Sequence, residues 1–362
     1  RIAHAKPTVD FLRERGARII LLSHFGRPKG KPHPEMRLRH ILPAVRAELG
    51  PVAFAEDCIG PAAETAVNAL KDGAVVLLEN VRFHAGEEAN DEAFARALAA
   101  HGALFVNDAF SVSHRAHASS AGVAQFVPAV AGLGLAAEVG ALESVLSKPQ
   151  RPLIALVGGA KVSTKITLLT NLDSKVHSLM IGGAMANTCL SARGLPIGAS
   201  LSEPDLAATA RDIVAAADEA GCTLILPEDV VVAPKLAAGV ATRTVAVDAV
   251  GDADMILDVG AATLARLSLA FEAARTVLWN GPLGAFEVPP FDTGTVTAAR
   301  QVALLTKAGR LTSVGGGGDT VAALNHAGVA EDFTFVSTAG GAFLEWVEGK
   351  TLPGLEILPR GR

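Results

Sequence analysis

A chain of 362 residues exceeds what one ordinary core serves, so two domains are expected, and with half of its residues apolar it can furnish each with a core. A formal net charge of −5 excludes a general binder of nucleic acid or of anionic membranes, so any basic site has to be a local cluster. Three dispersed cysteines, Cys58, Cys189 and Cys222, fit a reducing, cytoplasmic compartment, and no run of uncharged apolar residues is long enough to cross a bilayer. A soluble, non-exported protein is therefore expected. The sequence opens at Arg1 rather than Met and enters at once into a helical pattern, which reads as a chain lacking its true start.

Helical periodicity over Ile2 to Arg15 gives way to Arg18-Ile19-Ile20-Leu21-Leu22, a short buried-strand run. The pattern then repeats. Further strands are expected at Val52 to Ala55, Val75 to Leu78, Leu104 to Val106, Leu153 to Val157 and Leu179 to Ile181. Others follow at Thr223 to Leu226, Thr276 to Leu278, Leu311 to Val314 and Phe333 to Val336, with alanine-rich helices such as Asp205 to Ala220 and Thr293 to Lys307 between them. Apolar strands alternating with helices predict an α/β fold of two doubly wound, Rossmann-like parallel sheets, in which ligands bind beyond the carboxyl ends of the strands. Leu135 to Leu146 reads as one amphipathic helix stopped by Pro149 and Pro152, an interdomain helix over about 135–148 that places a boundary between domains 1–150 and 151–345. The tail, 346–362, is too short for a domain of its own and is expected to return to the first.

In the first half the strand ends deliver arginine and histidine. Ser23-His24-Phe25-Gly26-Arg27 follows Leu22, Glu79-Asn80-Val81-Arg82-Phe83-His84 follows Leu78, and His114-Arg115-Ala116-His117 comes soon after Asn107-Asp108. One such residue is usually solvated or structural; three convergent groups in an acidic protein point to a small, multiply anionic ligand that arginine forks grip bidentately.

The second half delivers glycine and carboxylate instead. Gly158-Gly159-Ala160-Lys161, Gly182-Gly183-Ala184, Asn280-Gly281-Pro282 with Glu287 beyond, Gly317-Gly318-Asp319-Thr320 and Ala339-Gly340-Gly341 all stand at strand ends, where they suit a nucleotide lying over backbone. Lys161 and Lys165, four apart, read as sharing a helix face, where like charges repel unless an anion such as a phosphate chain sits beside them. An ordinary strand-to-helix turn with two solvated lysines is the alternative, since the stretch does not match the P-loop pattern. Asp319 at a helix start is by default an N-cap, and beside phosphates also a suitable Mg2+ ligand.

Six signatures carry a family resemblance over essentially the whole chain: Ser23-His24-Phe25-Gly26-Arg27-Pro28, Leu78 to His84, His114-Arg115-Ala116-His117, Gly158 to Lys165, Trp279-Asn280-Gly281-Pro282 and Gly317-Gly318-Asp319-Thr320. In this order and spacing the chain resembles phosphoglycerate kinase. The resemblance implies that the first domain binds 3-phosphoglycerate or 1,3-bisphosphoglycerate and the second MgADP or MgATP, with a hinge helix joining them and closing the two together. It implies that Arg1 stabilises charge on the transferring phosphoryl group. His24, Phe25, Gly26, Arg27, Arg82 and Arg115 would hold the phosphoglycerate, with His117 beside them. Lys161 and Lys165 would contact the nucleotide phosphates and the group in flight, Glu287 the ribose, and Asp319 the Mg2+. Gly317, Gly318 and Thr320 would line the phosphate end, and Gly340 and Gly341 would offer amides to the substrate side. No nucleic-acid or membrane partner is implied, and a monomer is expected.

The family's opening strand with its Asp-x-Asn loop is absent, Ala184 and Ala339 replace frequent glycines, and the chain has no tyrosine. A dinucleotide-dependent oxidoreductase is disfavoured, because no glycine turn here fits Gly-x-Gly-x-x-Gly with an acidic residue some 20 positions on. A fragment that keeps nucleotide binding but transfers phosphoryl groups poorly is the other reading.

Overall fold

The computed structural model describes residues 2–147, 149–173 and 175–359, which form two compact units. The first comprises the chain up to Val139 together with the segment from Thr351 onward, and the second runs from Gly140 to Lys350. The division falls inside the helix Leu133–Leu146 rather than at the prolines that follow it.

The second unit is built on a six-stranded parallel sheet in the order Phe335–Ser337, Thr312–Gly316, Thr276–Asn280, Leu153–Val157, Ser178–Ile181, Thr223–Ile225. Leu153–Val157 and Thr276–Asn280 pair at the centre, and every residue of both is buried, which is why the first reads as an unbroken apolar run and the second carries Val277-Leu278-Trp279 between two polar ends. Successive strands travel outward from Leu153–Val157 in one direction, and the later ones start again beside it and travel in the other. The order therefore reverses between these two strands, the position where doubly wound sheets bind ligands. Ile154, Leu156 and Trp279 pack from the sheet against Leu267 and Phe271 of the helix Ala261–Ala273, Val302 of the helix Thr293–Lys307, and Leu324 of the helix Gly318–His326.

Not all of this unit is parallel. Arg243–Ala246, Asp229–Ala233 and Met255–Val259 form a three-stranded antiparallel sheet, with a bulge between Ile256 and Asp258. The helix expected over 205–220 runs from Ala207 to Glu219, because Pro204–Leu206 closes a tight turn first.

The first unit holds a three-stranded parallel sheet, Ile19–Leu21, Val75–Leu77, Ala53–Phe54, and a separate parallel pair, Phe105–Asn107 with Ala129–Ala131. The helix Ile2–Arg13 ends short of Arg15 because Gly16 and Ala17 turn their amides back onto the Arg13 and Leu12 carbonyls. The tail belongs here. Gly354 donates its amide to the Ser113 carbonyl at 2.8 Å, accepts from Asn107 Nδ2 at 2.7 Å, and follows the buried Leu352.

Candidate functional site

At the reversal point of the six-stranded sheet three turns lock together backbone to backbone. Gly158 donates to the Asn280 carbonyl at 2.9 Å, Met185 to the Gly159 carbonyl at 3.1 Å, and Gly183 to the Leu283 carbonyl at 2.8 Å. A side chain at Gly158 would collide with the Pro282 carbonyl, and one at Gly281, whose φ is +99°, with the Gly158 carbonyl. Glycine is required at both positions, so the two strand ends approach as closely as backbone permits.

The Gly317 turn joins the same assembly. Thr320 Oγ1 accepts from the Gly281 amide at 2.7 Å while donating to the Gly316 carbonyl at 2.7 Å, and Asn280 Nδ2 donates to that same carbonyl at 2.7 Å. Gly317 is the N-cap of the helix Gly318–His326 with φ +97°. Gly318 and Asp319 are exposed at its first turn, so free amides and a carboxylate face outward together.

Into this cluster reaches Lys165. Its half-buried ammonium donates to the carbonyls of Gly158 and, at 3.2 Å, Asn280. Burial pushes its pKa down to about 8, against the pull of the nearby Asp319 carboxylate. A partly desolvated lysine beside glycine turns is a strong electrostatic partner for phosphate oxygens. Lys161 is exposed. The two lysines do not share a helix face: Val162–Thr164 is a single tight turn, Lys161 precedes it in extended conformation, and Lys165 at φ −132° closes it before the helix Ile166–Asp173 begins. Repulsion along a helix is therefore not what calls for an anion here; desolvation of Lys165 is. Ser163 ties this turn to Glu203, donating its hydroxyl and, at 3.1 Å, its amide.

Asp319 is not the N-cap, a place Gly317 occupies, and no side chain caps that helix. Its oxygens are accordingly available, and a hard carboxylate beside amides and a lysine suits a phosphate-bound Mg2+. Glu287 is exposed on the turn that follows the Asn280 strand end, and Gly340, at φ +55°, is the N-cap of the helix Gly341–Val347. Gly182 is buried and Gly183 and Ala184 open the helix Ala184–Ala192, while Ala339 is buried and donates its amide to Ser337 Oγ at 3.2 Å. Beneath the Pro282–Gly284 turn lies Asp258, 2 % exposed, accepting from the Gly294 amide at 2.7 Å and its neighbour Val259 at 2.9 Å. Burial, reinforced by Asp292, pushes its pKa up to about 7.

In the first unit hydrogen bonds gather the strand ends. Asn80 Nδ2 donates to the Phe25 and Met36 carbonyls, both at 2.8 Å, and Asn80 Oδ1 accepts from the Arg82 amide at 3.1 Å. The Arg82 guanidinium reaches the Gly26 carbonyl at 3.1 Å and stands 3.4 Å from Glu88. Buried Glu79 takes the Leu38 and Asn80 amides at 2.7 and 2.9 Å and Arg37 Nε at 2.8 Å. His117 lies 3.8 Å from Glu87, and burial, followed by the Arg82 charge, holds its imidazole below the usual value. Phe25, Gly26, Arg27 and Arg115 are exposed around this group, with His24 half-buried. Arg1, expected at the transferring group, lies outside the described residues.

Glu79, Asn80, Glu87, Ser119, Glu203 and Asp258 are additions that strand-end reading did not single out for a role. Asn80 and Glu79 stand two and three positions before Arg82, whereas Glu203 and Asp258 meet their partners 40 and 36 residues away, with no local signal. Among the described residues one group of three possible metal ligands stands elsewhere: Asp57, Cys58 and His84, within 4.8 Å of one another. Asp57 already accepts from His84 Nε2 and the Cys58 amide, both at 2.7 Å, and burial pushes the Cys58 thiol far above its ordinary range. That trio reads as a buried thiol beside a satisfied Asp–His pair.

Interlocked glycine turns around a half-buried lysine in one Rossmann-like unit, and a cluster of arginine and histidine in another, are the features of a two-unit α/β phosphotransferase. A family model for phosphoglycerate kinase matches residues 1–350. A phosphoglycerate kinase of Methylorubrum populi is 61% identical over 99% of this chain and 90% of the relative, and one of Caulobacter vibrioides is 57% identical over 99% and 91%. The solved phosphoglycerate kinase of Coxiella burnetii matches with a TM-score of 0.92 at 42% identity, covering 99% of this chain and 90% of that one. That of Pyrococcus horikoshii matches at 0.81 and 27%. The chain belongs to the phosphoglycerate kinase family, ATP-binding transferases of glycolysis.

Proposed function

We propose that this chain transfers a phosphoryl group reversibly between 1,3-bisphosphoglycerate and ADP, giving 3-phosphoglycerate and ATP. The observation that carries this reading is the convergence of Lys165, the Asn280 strand end and the Gly317–Thr320 turn at the reversal point of the sheet. Such a transfer needs in-line positioning, neutralised oxygens and exclusion of water, and no protein nucleophile.

In this reading the second unit takes the nucleotide. Gly158, Gly159, Ala160, Gly182, Gly183, Asn280 and Pro282 let it lie against backbone, Glu287 meets the ribose, and Gly317, Gly318 and Thr320 meet the phosphates. Lys165 anchors the phosphate chain and Lys161, with its free reach, follows the group in flight. Asp319 would hold a nucleotide-bound Mg2+, which would supply neutralisation of phosphate charge. In the first unit Arg27, Arg82 and Arg115, with His24, Phe25, Gly26 and His117, grip the phosphoglycerate, and Gly340 presents its amide end to the reacting side. Neither unit carries both sets of residues, so a movement that closes the units on one another belongs to the proposal. Three buried free cysteines accord with a reducing cytoplasm, and the net charge of −5 with the absence of a nucleic-acid partner. Among the described residues no helix is long and apolar enough to cross a membrane. A monomer completes the reading.

The test is ATP formation from ADP and 1,3-bisphosphoglycerate by the chain as it stands, beside Lys161→Ala and Asp319→Asn. Lys161→Ala should lower turnover by about 100-fold or more while ADP binding changes less. Asp319→Asn should raise the Mg2+ concentration needed for half-maximal rate by about tenfold, an amide being a poorer ligand for a hard cation. ADP binding without transfer by the unaltered chain would favour the nucleotide-binding fragment instead.

A further inference from the structure

We propose that Glu87 is a positioning residue for the phosphoglycerate pocket, fastening the loop that carries Arg115 and His117 to the turn that carries Arg82. The proposal rests on the functional reading above, but the fastening itself is a matter of geometry.

Glu87 belongs to the short helical turn Ala85–Glu88, which follows directly on the Val81–Phe83 turn bearing Arg82. It is 2 % exposed. Both its oxygens are taken by one residue of the opposite loop: Ser119 Oγ donates to Oε1 at 2.6 Å and the Ser119 amide to Oε2 at 2.9 Å. The Ala118 amide adds a third link, to the Glu87 carbonyl at 2.9 Å. On the far side, the loop is stiffened by Ser120, whose hydroxyl donates to the Arg115 carbonyl at 2.9 Å and accepts from the His117 amide at 3.3 Å. A rigid loop fastened at Ser119 places Arg115 and His117 at a set distance from Arg82.

Charge adds a reason for a carboxylate. The Arg82 charge acts on Glu87, and His117 Nδ1 stands 3.8 Å from Oε1. Arg82 and Arg115, gathered for an anionic ligand, repel one another and, adding to burial, hold His117 neutral while the pocket is empty; the Glu87 carboxylate beside Arg82 offsets this where it is ionised, against the burial that raises its pKa. Burying that anion is costly, and a well-packed apolar residue would hold two loops together more cheaply. The carboxylate is therefore suited to orientation and charge rather than to stability alone.

Glu87→Gln keeps the shape and can accept from the Ser119 amide and donate to Ser119 Oγ, so it removes chiefly the charge, while Ser119→Ala removes only the hydroxyl link. With 3-phosphoglycerate and MgATP varied separately, Glu87→Gln should raise KM for 3-phosphoglycerate about tenfold and Ser119→Ala about threefold, the size expected from lost hydrogen bonds to a charged group. KM for MgATP should stay within about twofold in both, a split that mere loosening of the fold would not produce. Calorimetric titration with 3-phosphoglycerate should show the same weakening. An unchanged KM for 3-phosphoglycerate, or equal rises for both substrates, overturns the proposal, and if Glu87→Gln fails to fold, Ser119→Ala decides it alone. A wild-type chain that neither binds nor turns over 3-phosphoglycerate sinks the functional reading and this proposal with it, whereas normal wild-type kinetics with unaffected variants sinks only the positioning role.

Discussion

Lys165 sits where two demands conflict, since a phosphate partner wants it charged and its burial wants it neutral. With its pKa near 8, part of the Lys165 population has lost its proton at slightly alkaline pH. An unfolded lysine titrates near 10.4, so between about 8 and 10 the unfolded chain binds the extra proton and this residue makes the fold more stable as pH rises. Nucleotide phosphates reverse the preference by stabilising the ammonium. MgADP binding at about pH 8.5 should therefore take up a fraction of a proton, read from calorimetric enthalpies in buffers of different ionisation enthalpy, and Lys165→Met should abolish the uptake; equal enthalpies in all buffers would contradict it. Asp258 has the opposite sign. An unfolded aspartate ionises near 3.9, but this one holds its proton to about 7, so the folded chain binds more protons in that interval and stability declines as pH climbs through it. Urea midpoints at pH 5 and pH 8 should fall further for the wild type than for Asp258→Asn; parallel lines for the two proteins would remove Asp258 from the account.

At the scale of elements, the reversal point is tolerant of little. Gly281→Ala places a methyl against the Gly158 carbonyl, which is backbone and cannot swing aside, and against Lys165 Nζ, at a φ that side chains rarely adopt. A loss of about 3 kcal/mol or more in the second unit is expected from combined strain and clash, measured by denaturant unfolding, with an unaffected midpoint as the contrary result. Much of this architecture was legible beforehand. Leu153–Val157 and Thr293–Lys307 carry periodicities that burial imposes directly, and glycine turns and arginines follow strands whose ends could be read. What escaped were features settled by distant partners or by too few residues. Ala129–Ala131 is three residues long, and the strands between Asp229 and Val259 alternate too briefly to separate from loop. Lys161 and Lys165 have helical spacing but flank a tight turn, because the helix proper starts after them. Asp319 looked like a cap until Gly317, with its left-handed φ, took that place. The domain change inside Leu133–Leu146 leaves no mark, since one continuous helix serves both sides of it.

For the whole molecule, the two units have separate cores, and the first is assembled from two stretches of chain with the second lying between them in sequence. Gly354 and Leu352 complete it late, through the bonds to Ser113 and Asn107 and the burial of a leucine. These contacts together are worth roughly 2 to 5 kcal/mol by ordinary allowances for a buried leucine and two hydrogen bonds. A chain ending at Lys350 should then show faster proteolysis within residues 2–139 and unchanged resistance beyond Gly140, with protection returning when a peptide of residues 351–362 is added. Equal resistance of both forms would show the tail to be dispensable. The arrangement also sets a schedule on the ribosome. Domains ordinarily fold from the N-terminus as they emerge, but here the segment up to Val139 must wait while Gly140 to Lys350 is polymerised, roughly ten to forty seconds at usual elongation rates. The unit whose greater part is translated before the other is thus the last to close, and through that interval the nascent polypeptide carries an unfinished half that chaperones can bind.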